Sequence, residues 1–263
     1  MAVNVGLIGA GHIARALAEG WSRPAVLGPP SLVFYDVEAA KARELAAATG
    51  GAAAATASEL LAEADLVIVA VRPQHVEGVL QEMGAVLGQR MVVSVAAGVS
   101  LARLEASLPS GARVARIMPN VAAALGQGLF LLVPGTLGNG VAEVEALFAL
   151  AGDVVEVDEA LFDAATAVAG CMPGVIAYLV RAFAAAGVAH GLAEDVALQL
   201  AISGVHGAAA IVAHEGDPAA VVAAAATPGG MTAAMVETLG ERDVAQTVND
   251  AVAAAVARAR TLA

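Results

Sequence analysis

Residues 3–14 read VNVGLIGAGHIA, an apolar run that passes directly into a glycine-rich turn. Within it, residues 9–14 (GAGHIA) have the spacing G-x-G-x-x-A and open a helical pattern. In that spacing the first glycine permits a tight turn, the second lets a pyrophosphate approach the backbone, and the small third residue allows close packing of helix and strand. Free N–H groups at a helix N-terminus also favour anions. The sequence therefore predicts a dinucleotide site rather than a turn that merely packs well, and its residues are Gly9, Gly11, His12 and Ile13.

An acidic residue ends the second predicted strand, Ser31–Asp36. Asp36 lies about 25 residues after Gly11, where an acid accepts hydrogen bonds from the adenosine ribose and repels the 2′-phosphate of NADPH. The nearest following base, Lys41, is a helical turn further on. Asp36 is therefore predicted to bind the cofactor, which is NADH or NADPH, with NADH favoured. Asp36 could instead cap the helix predicted from Val37, and the two roles are compatible.

Strands and helices alternate through the first part of the chain. Apolar runs predict strands at residues 3–9, 31–36, 65–71, 90–96 and 113–117, and helical patterns predict helices at residues 11–21, 37–48 and 73–86. Strands separated by helices of this length form a parallel sheet. From Asp158 no strand is predicted, and the helical stretches are residues 159–169, 173–189, 194–214, 218–226 and 228–262, the last with a break near Gly240. The predicted class is α/β, with a Rossmann domain at residues 1–157 and an all-helical domain at residues 158–263.

The composition excludes several kinds of partner. The net charge is −12 with only 13 lysines and arginines, so neither nucleic acid nor an anionic membrane surface is expected to bind. The single cysteine, Cys171, excludes a disulfide framework and a cysteine-based zinc site, and no metal is predicted. The uncharged stretch between Asp163 and Arg181 is slightly short of the ~20 residues of a spanning helix, and Met1–Gly11 lacks a basic signal-peptide region. We therefore expect a cytoplasmic protein that does not enter a membrane.

Four segments, taken in order, resemble those of pyrroline-5-carboxylate reductases, the last enzymes of proline biosynthesis. Residues 70–74 (AVRPQ) resemble the family's A-V-K-P-Q, with arginine for lysine, and residues 94–99 (SVAAGV) resemble its S-x-A-A-G-V. Residues 116–120 (RIMPN) resemble R-x-M-P-N, and residues 227–232 (TPGGMT) resemble the signature S-P-G-G-x-T. With these segments the resemblance covers essentially the whole chain.

The resemblance implies a Rossmann domain joined to a helical dimerisation domain. It also implies hydride transfer from the nicotinamide to the C=N carbon of 1-pyrroline-5-carboxylate, which gives L-proline. The matching segments are expected to contact the cofactor through Val71, Arg72, Pro73, Ala96, Ala97 and Asn120. Arg72 would stack on the adenine or lie near the ribose.

The segment at residues 227–232 suits an anion on physical grounds as well. Pro228-Gly229-Gly230 is a flexible turn that opens a helix, so the next backbone N–H groups can converge on a carboxylate. Thr232 adds a hydroxyl that can hydrogen-bond the imine nitrogen, and it is the predicted catalytic residue. The predicted substrate-binding residues here are Gly229, Gly230, Met231 and Thr232. An ordinary first-turn threonine is the alternative.

One segment departs from the family, which usually has S-G-S-G-P-A-Y before its longest helix. Residues 169–175 read AGCMPGV, so Cys171 replaces a serine, Met172 a glycine and Val175 a tyrosine. The resemblance places this segment beside the substrate pocket and implies substrate binding by Cys171, Met172 and Glu159. Either the pocket holds a different cyclic imine, as in a paralogue, or these side chains point away from the ligand. Glu159 could instead act as an acid in the first turn of a helix.

Two other classes of protein were weighed against an imine reductase. A β-hydroxyacid dehydrogenase also joins a Rossmann domain to a helical one, but that resemblance would require a catalytic lysine in the helical half. The one lysine of this chain is Lys41, in the first half. A non-catalytic nucleotide-binding protein is disfavoured by the intact Gly9, Gly11, Asn120 and Thr232.

The helical half also predicts an assembly. The helix predicted at residues 194–214 carries apolar residues nearly all round, and a helix of that kind is buried. One small bundle cannot cover it, so the helices of a second copy are the expected cover. The sequence therefore predicts a homodimer or a larger ring of dimers.

Overall fold

A computed structural model of the protein describes residues 3–24, 28–84 and 86–261. Its centre is an eight-stranded sheet with the strand order β3-β2-β1-β4-β5-β6-β7-β8. Neighbouring strands are parallel except for β6 and β7, which are antiparallel. The strands are β1 (Asn4–Ile8), β2 (Ser31–Tyr35), β3 (Ala52–Ala53), β4 (Leu66–Val69), β5 (Met91–Ser94), β6 (Arg113–Met118), β7 (Gly128–Val133) and β8 (Gly152–Glu156).

Helices cover both faces of this sheet. They are α1 (His12–Trp21), α2 (Ala39–Thr49), α3 (Ala57–Glu63), α4 (Pro73–Gly84), α5 (Leu101–Ala106) and α6 (Val141–Ala149). One apolar cluster joins the sheet to α1, α2 and α6, and a second joins it to α3, α4 and α5. The buried strand β4 supplies alternate residues to the two clusters, as a central parallel strand must when both faces are covered.

The chain after the sheet is helical. It continues with α7 (Phe162–Ala165), α8 (Met172–Ala189), α9 (Glu194–Glu215), α10 (Pro218–Ala225), α11 (Met231–Glu241) and α12 (Val244–Ala259). A 3₁₀ turn at Glu159–Leu161 precedes α7, and a π-helical turn at Thr166–Gly170 follows it. No strand follows Glu156 in the described chain, which ends at residue 261. Residues 172–254 form one compact unit, and the remainder of the described chain forms another.

This architecture confirms the predicted fold class, a Rossmann domain followed by a helical domain. Some details differ from the sequence prediction. The second helix begins at Ala39 instead of Val37, because the Asp36 carboxylate takes the Glu38 N–H and turns the chain before the helix starts. The strands β3, β7 and β8 and the helices α3, α5 and α6 were not predicted, although β7 (GLFLLV) is a continuous apolar run.

Two helical stretches, Glu159–Ala189 and Glu194–Glu215, are long and apolar enough to cross a membrane by length and composition. For the first stretch the sequence favours a buried helix pair over a membrane span, and for the second it predicts burial against the helices of a second copy. In the single chain none of the residues of α8 is buried, and α9 buries only Ala197. Both helices therefore present apolar side chains that no part of the described chain covers.

Candidate functional site

The glycine-rich turn has the geometry that the sequence predicts. Gly9 has φ +96°, and a Cβ at this position would lie 2.6 Å from the carbonyl oxygen of Ala70. Gly11 is the N-cap of α1, and a Cβ there would meet nothing within 4 Å. The first turn of α1 has neither a side-chain cap nor an acidic residue, so its N–H groups face an open, anion-compatible space. Ala14 is fully buried, as the third small residue of the pattern requires.

Asp36 faces this turn. One of its carboxylate oxygens, Oδ2, accepts a hydrogen bond from the N–H of Ala10 at 2.8 Å, and the other accepts one from the N–H of Glu38 at 2.8 Å. The carboxylate is thus held in place by two backbone donors while each oxygen keeps a further lone pair. This arrangement accommodates the turn-forming role of Asp36 and leaves it able to accept a ribose hydroxyl.

The charges around Asp36 are mixed. Lys41 forms an ion pair with Glu38 on the surface. The hydrogen bond with Glu38 raises the pKa of the Lys41 ammonium, and the negative charges of Glu38 and Asp36 raise it further, whereas Arg72 opposes the rise. Lys41 is thus paired with Glu38 at the surface, close enough to Asp36 for the two charges to interact.

The other predicted cofactor residues follow strands whose carboxyl ends share one edge of the sheet. Val71, Arg72 and Pro73 follow β4, Ala96 and Ala97 follow β5, and Asn120 follows β6. A Cβ on Gly9 would lie 3.1 Å from the Val71 side chain, so the first and fourth strands bring these residues together. Ligands of open α/β sheets bind at this edge.

Asn120 is a buried polar residue at this edge. Its side-chain oxygen accepts a hydrogen bond from the N–H of Ala122 at 3.2 Å and caps the 3₁₀ turn at Val121–Leu125. The capping role occupies the oxygen, and the side-chain NH₂ group remains the part of Asn120 that a ligand would use.

The predicted substrate turn belongs to the second unit. Gly229 has φ +74°, and the N–H of Gly230 donates to the carbonyl oxygen of Thr227 at 2.9 Å. The positive φ of Gly229 favours glycine there, and a Cβ on Gly230 would lie 2.6 Å from Thr227 Oγ1, so a larger residue would require that side chain to move. Gly230 is the N-cap of α11, whose first turn has no side-chain cap and no acidic residue. Met231 and Thr232 are both exposed there.

The three residues that depart from the family pattern lie near the boundary of the two units. Cys171 is the last residue of the first unit before the boundary, and Met172 begins α8 in the second unit. In the single chain Cys171, Met172 and Val175 are all exposed.

Glu159 has partners that the sequence did not predict. Its Oε1 accepts a hydrogen bond from the Arg116 guanidinium at 2.8 Å and another from the N–H of Leu101 at 3.0 Å. Arg116 is only 5% exposed and is a charged residue within the central strand β6. No role for Arg116 was predicted from the sequence, although an arginine inside an apolar strand run is itself a signal.

The fold and the turn together define a class of protein. A parallel sheet whose first strand runs into a G-x-G-x-x-A turn at a helix N-terminus, with an acid at the end of the second strand, is a dinucleotide-binding Rossmann domain. Comparison with known proteins agrees with this class. Residues 4–98 match the family described as NADP oxidoreductase coenzyme F420-dependent, and residues 159–262 match the one described as pyrroline-5-carboxylate reductase dimerisation.

Full-length relatives identify the family. A pyrroline-5-carboxylate reductase of Arabidopsis thaliana is 35% identical over an alignment of 267 positions. The alignment covers 98% of this chain and 95% of the relative. The 1-pyrroline-5-carboxylate reductase of Streptococcus pyogenes is 28% identical with a TM-score of 0.88 and coverage of 99% of both chains. The Plasmodium falciparum pyrroline carboxylate reductase with NADP bound shares the fold, with a TM-score of 0.86, 24% identity and coverage of 99% of this chain and 98% of that one.

The chain belongs to the pyrroline-5-carboxylate reductase family. This membership confirms the resemblance carried by the four motif segments. It also places the exposed helices α8 and α9 within a region that matches a dimerisation domain.

Proposed function

We propose that this protein reduces the C=N bond of 1-pyrroline-5-carboxylate to give L-proline, with a nicotinamide cofactor. The observation that carries the proposal is the relationship to pyrroline-5-carboxylate reductases along 98% of the chain, at 35% identity to the relative from Arabidopsis thaliana. The geometry of the dinucleotide turn supports it independently, because that turn is suited to hold a pyrophosphate.

The residues of the first unit fit the cofactor. The strained Gly9 and the open Gly11 form a cradle that side chains would fill, and the uncapped first turn of α1 would hold the pyrophosphate. Asp36 would accept the ribose hydroxyls with the lone pairs that the backbone leaves free. The bound cofactor supplies a hydride for the imine carbon. Within this proposal the remaining edge residues, Val71–Pro73, Ala96, Ala97 and Asn120, complete the cofactor site.

The residues of the second unit fit a small carboxylate. The N–H groups that begin α11 have no side-chain cap, so they would hold the substrate carboxylate. Thr232 would place its hydroxyl against the imine nitrogen. The substrate reacts as the protonated iminium and the product amine keeps that proton, so no catalytic lysine is required.

A substrate panel tests the reaction. On addition of 1-pyrroline-5-carboxylate, the NADH absorbance should fall at a rate proportional to enzyme concentration, and proline should accumulate in equal amount. A six-membered cyclic imino acid and an imine without a carboxylate should be reduced at least tenfold more slowly. Preference for another ring would support the reading in which Cys171, Met172 and Val175 define a different imine, and no turnover of any imine would refute the proposal.

We propose that Asp36 favours NADH over NADPH, because its charge would face the 2′-phosphate and Glu38 already pairs with Lys41. The ratio of kcat/KM for the two cofactors measures this preference. Asp36→Ser should shift it toward NADPH, while Glu44→Ser, which removes an exposed acid of α2, should leave it unchanged. A wild-type preference for NADPH of tenfold, about 1.4 kcal/mol, would show that Asp36 has been assigned the wrong role.

We further propose that the functional unit is a homodimer or a ring of dimers that works in the cytoplasm. The support is the apolar surface of α9, where residues such as Leu198, Leu200 and Ile202 are about half exposed although they belong to a long regular helix. Contiguous apolar surface of this kind marks an interaction site. Because the region matches a dimerisation domain, a second copy is the proposed cover in place of a lipid bilayer.

Light scattering tests the assembly. The wild-type protein should have at least twice the monomer mass at micromolar concentration, without detergent. Leu200→Asp should reduce the mass to that of a monomer or cause aggregation, since an aspartate in an apolar interface remains unpaired. Val37→Asp makes a similar change at a side chain that is 90% exposed in the first unit, and it should leave the mass unaltered. A stable wild-type monomer would contradict the proposal.

A further inference from the structure

An ion pair with one buried partner, Arg116, lies in the first unit. Arg116 of β6 donates to Glu159 at 2.8 Å, and its guanidinium carbon lies 3.8 Å from the ring centroid of Phe162. The Arg116 side chain is 6% exposed and that of Glu159 is 36% exposed. Removing such charges from water is costly, and an apolar pair of similar volume often stabilises a fold as well or better. Stability alone therefore does not explain why this ion pair is present.

The hydrogen bonding of the pair is incomplete. Arg116 Nε and Glu159 Oε2 are buried and have no hydrogen-bond partner within the described residues. An unpaired buried polar atom is destabilising, so the ion pair does not contribute its full possible stability. The pair does fix the position of one oxygen atom, Glu159 Oε1.

That oxygen joins three segments of the chain. Glu159 Oε1 accepts from Arg116 in β6 and from the N–H of Leu101, the first residue of α5. Leu101 directly follows the loop of residues 95–100, which carries the predicted cofactor residues Ala96 and Ala97. Glu159 itself begins the segment of residues 159–171, which ends at Cys171 and packs on β6 and β7 through Phe162, Met118 and Leu131.

We infer that Arg116 and Glu159 are positioning residues for the reduction: they fix the loop of residues 95–100 relative to the segment of residues 159–171. Glu159 acts through the N–H of Leu101 and through Arg116, and not by contact with the substrate. The inference rests on the proposed function, since it concerns the loop that would hold the cofactor. Misplacement of reacting groups by about 1 Å costs as much as about 100-fold in rate, so loosening this anchor should slow turnover.

Glu159→Gln tests the inference directly. The glutamine amide oxygen can still accept from Leu101, but the charge that holds Arg116 is lost. We expect kcat for 1-pyrroline-5-carboxylate to fall about tenfold, while the KM for the imine stays within twofold. Glu77→Gln is the matched control, because it removes the exposed ion pair between Glu77 and Arg103, whose partners lie 2.6 Å apart. Its kcat should stay within twofold of wild type.

A double variant separates a loss of activity from a failure to fold. Glu159→Gln leaves Arg116 buried without a counter-charge, and the single variant can fail to fold for that reason. Glu159→Gln with Arg116→Met removes both charges, and its kcat should fall by about the same factor as that of any folded single variant, because the two residues act as one unit. Folding is checked by circular dichroism.

Two results would overturn the inference. If folded variants keep the wild-type kcat and lose only thermal stability, the pair is a structural feature alone. If the KM for the imine rises tenfold while kcat is unchanged, Glu159 binds the substrate itself. A wild-type enzyme that reduces no cyclic imine would refute the proposed function and this inference with it, whereas an active wild-type enzyme with unaffected variants refutes only the inference.

Discussion

Gly9→Ala is expected to weaken NADH binding by at least about 100-fold, or about 2.7 kcal/mol. Gly9 adopts φ +96°, which side chains other than glycine rarely adopt, and the new Cβ would lie 2.6 Å from the backbone oxygen of Ala70. The turn must open to relieve that clash, and the N–H groups that would hold the pyrophosphate then lose their alignment. Quenching of protein fluorescence by NADH, or calorimetry, gives the dissociation constant.

Gly78→Ala is the control for this change. Gly78 lies on an exposed face of α4, where a Cβ would meet nothing within 4 Å. This substitution should leave the NADH affinity unaltered and should raise the free energy of unfolding by up to about 1 kcal/mol, because alanine is the better helix former. Wild-type NADH affinity in a folded Gly9→Ala protein would mean that the pyrophosphate does not bind at this turn.

Thr232→Ala is expected to lower kcat/KM for the imine by one to two orders of magnitude, about 1.5–3 kcal/mol, the usual effect of losing a hydrogen bond to a charged group. The proposed partner of the hydroxyl is the protonated imine nitrogen, so the loss should appear in the reaction with substrate and not in NADH affinity. Steady-state kinetics with 1-pyrroline-5-carboxylate and a separate NADH titration measure the two quantities.

Thr238→Ala provides the comparison within the same helix. The Thr238 hydroxyl donates to the carbonyl oxygen of Ala234 at 2.9 Å, so its hydrogen bond is internal to α11. Its removal should change kcat/KM by less than twofold. Full activity of Thr232→Ala on every imine of the panel would place the substrate site elsewhere, and the assignment carried over from the family would then fail at its most important residue.

The parts of the fold that local patterns determine could be predicted from the sequence. The turn at Gly9–Ala14 has a fixed spacing because each small residue relieves a different steric conflict. The apolar runs of β1, β4 and β5 indicate strands that are buried on both faces of a parallel sheet. The position of Asp36 could be predicted for the same reason, since the end of the second strand always approaches the turn after the first. The hydrogen bond from the N–H of Ala10 to the Asp36 carboxylate shows this approach directly.

Some of the features that were not predicted depend on contacts between distant residues. β7 pairs antiparallel with β6 and parallel with β8, and no local periodicity specifies such pairing. Arg116 and Glu159 are 43 residues apart in the sequence, and each taken alone resembles an ordinary charged side chain. The apolar residues nearly all round the helix at residues 194–214 did predict a cover from a second copy, and that cover stays a prediction.

The exposed apolar helices also have a kinetic consequence. The first unit has its own buried clusters and can form as soon as its strands are complete, whereas α9 buries a single residue in the isolated chain. If a second copy supplies the cover, the last step of folding is bimolecular, and its rate depends on protein concentration. Dilute chains would then persist as intermediates in which the nucleotide domain is folded and the apolar side chains of α8 and α9 are exposed. Such intermediates are prone to aggregate. Rapid refolding of this protein should therefore require a concentration window, high enough for subunits to meet and low enough to avoid precipitation.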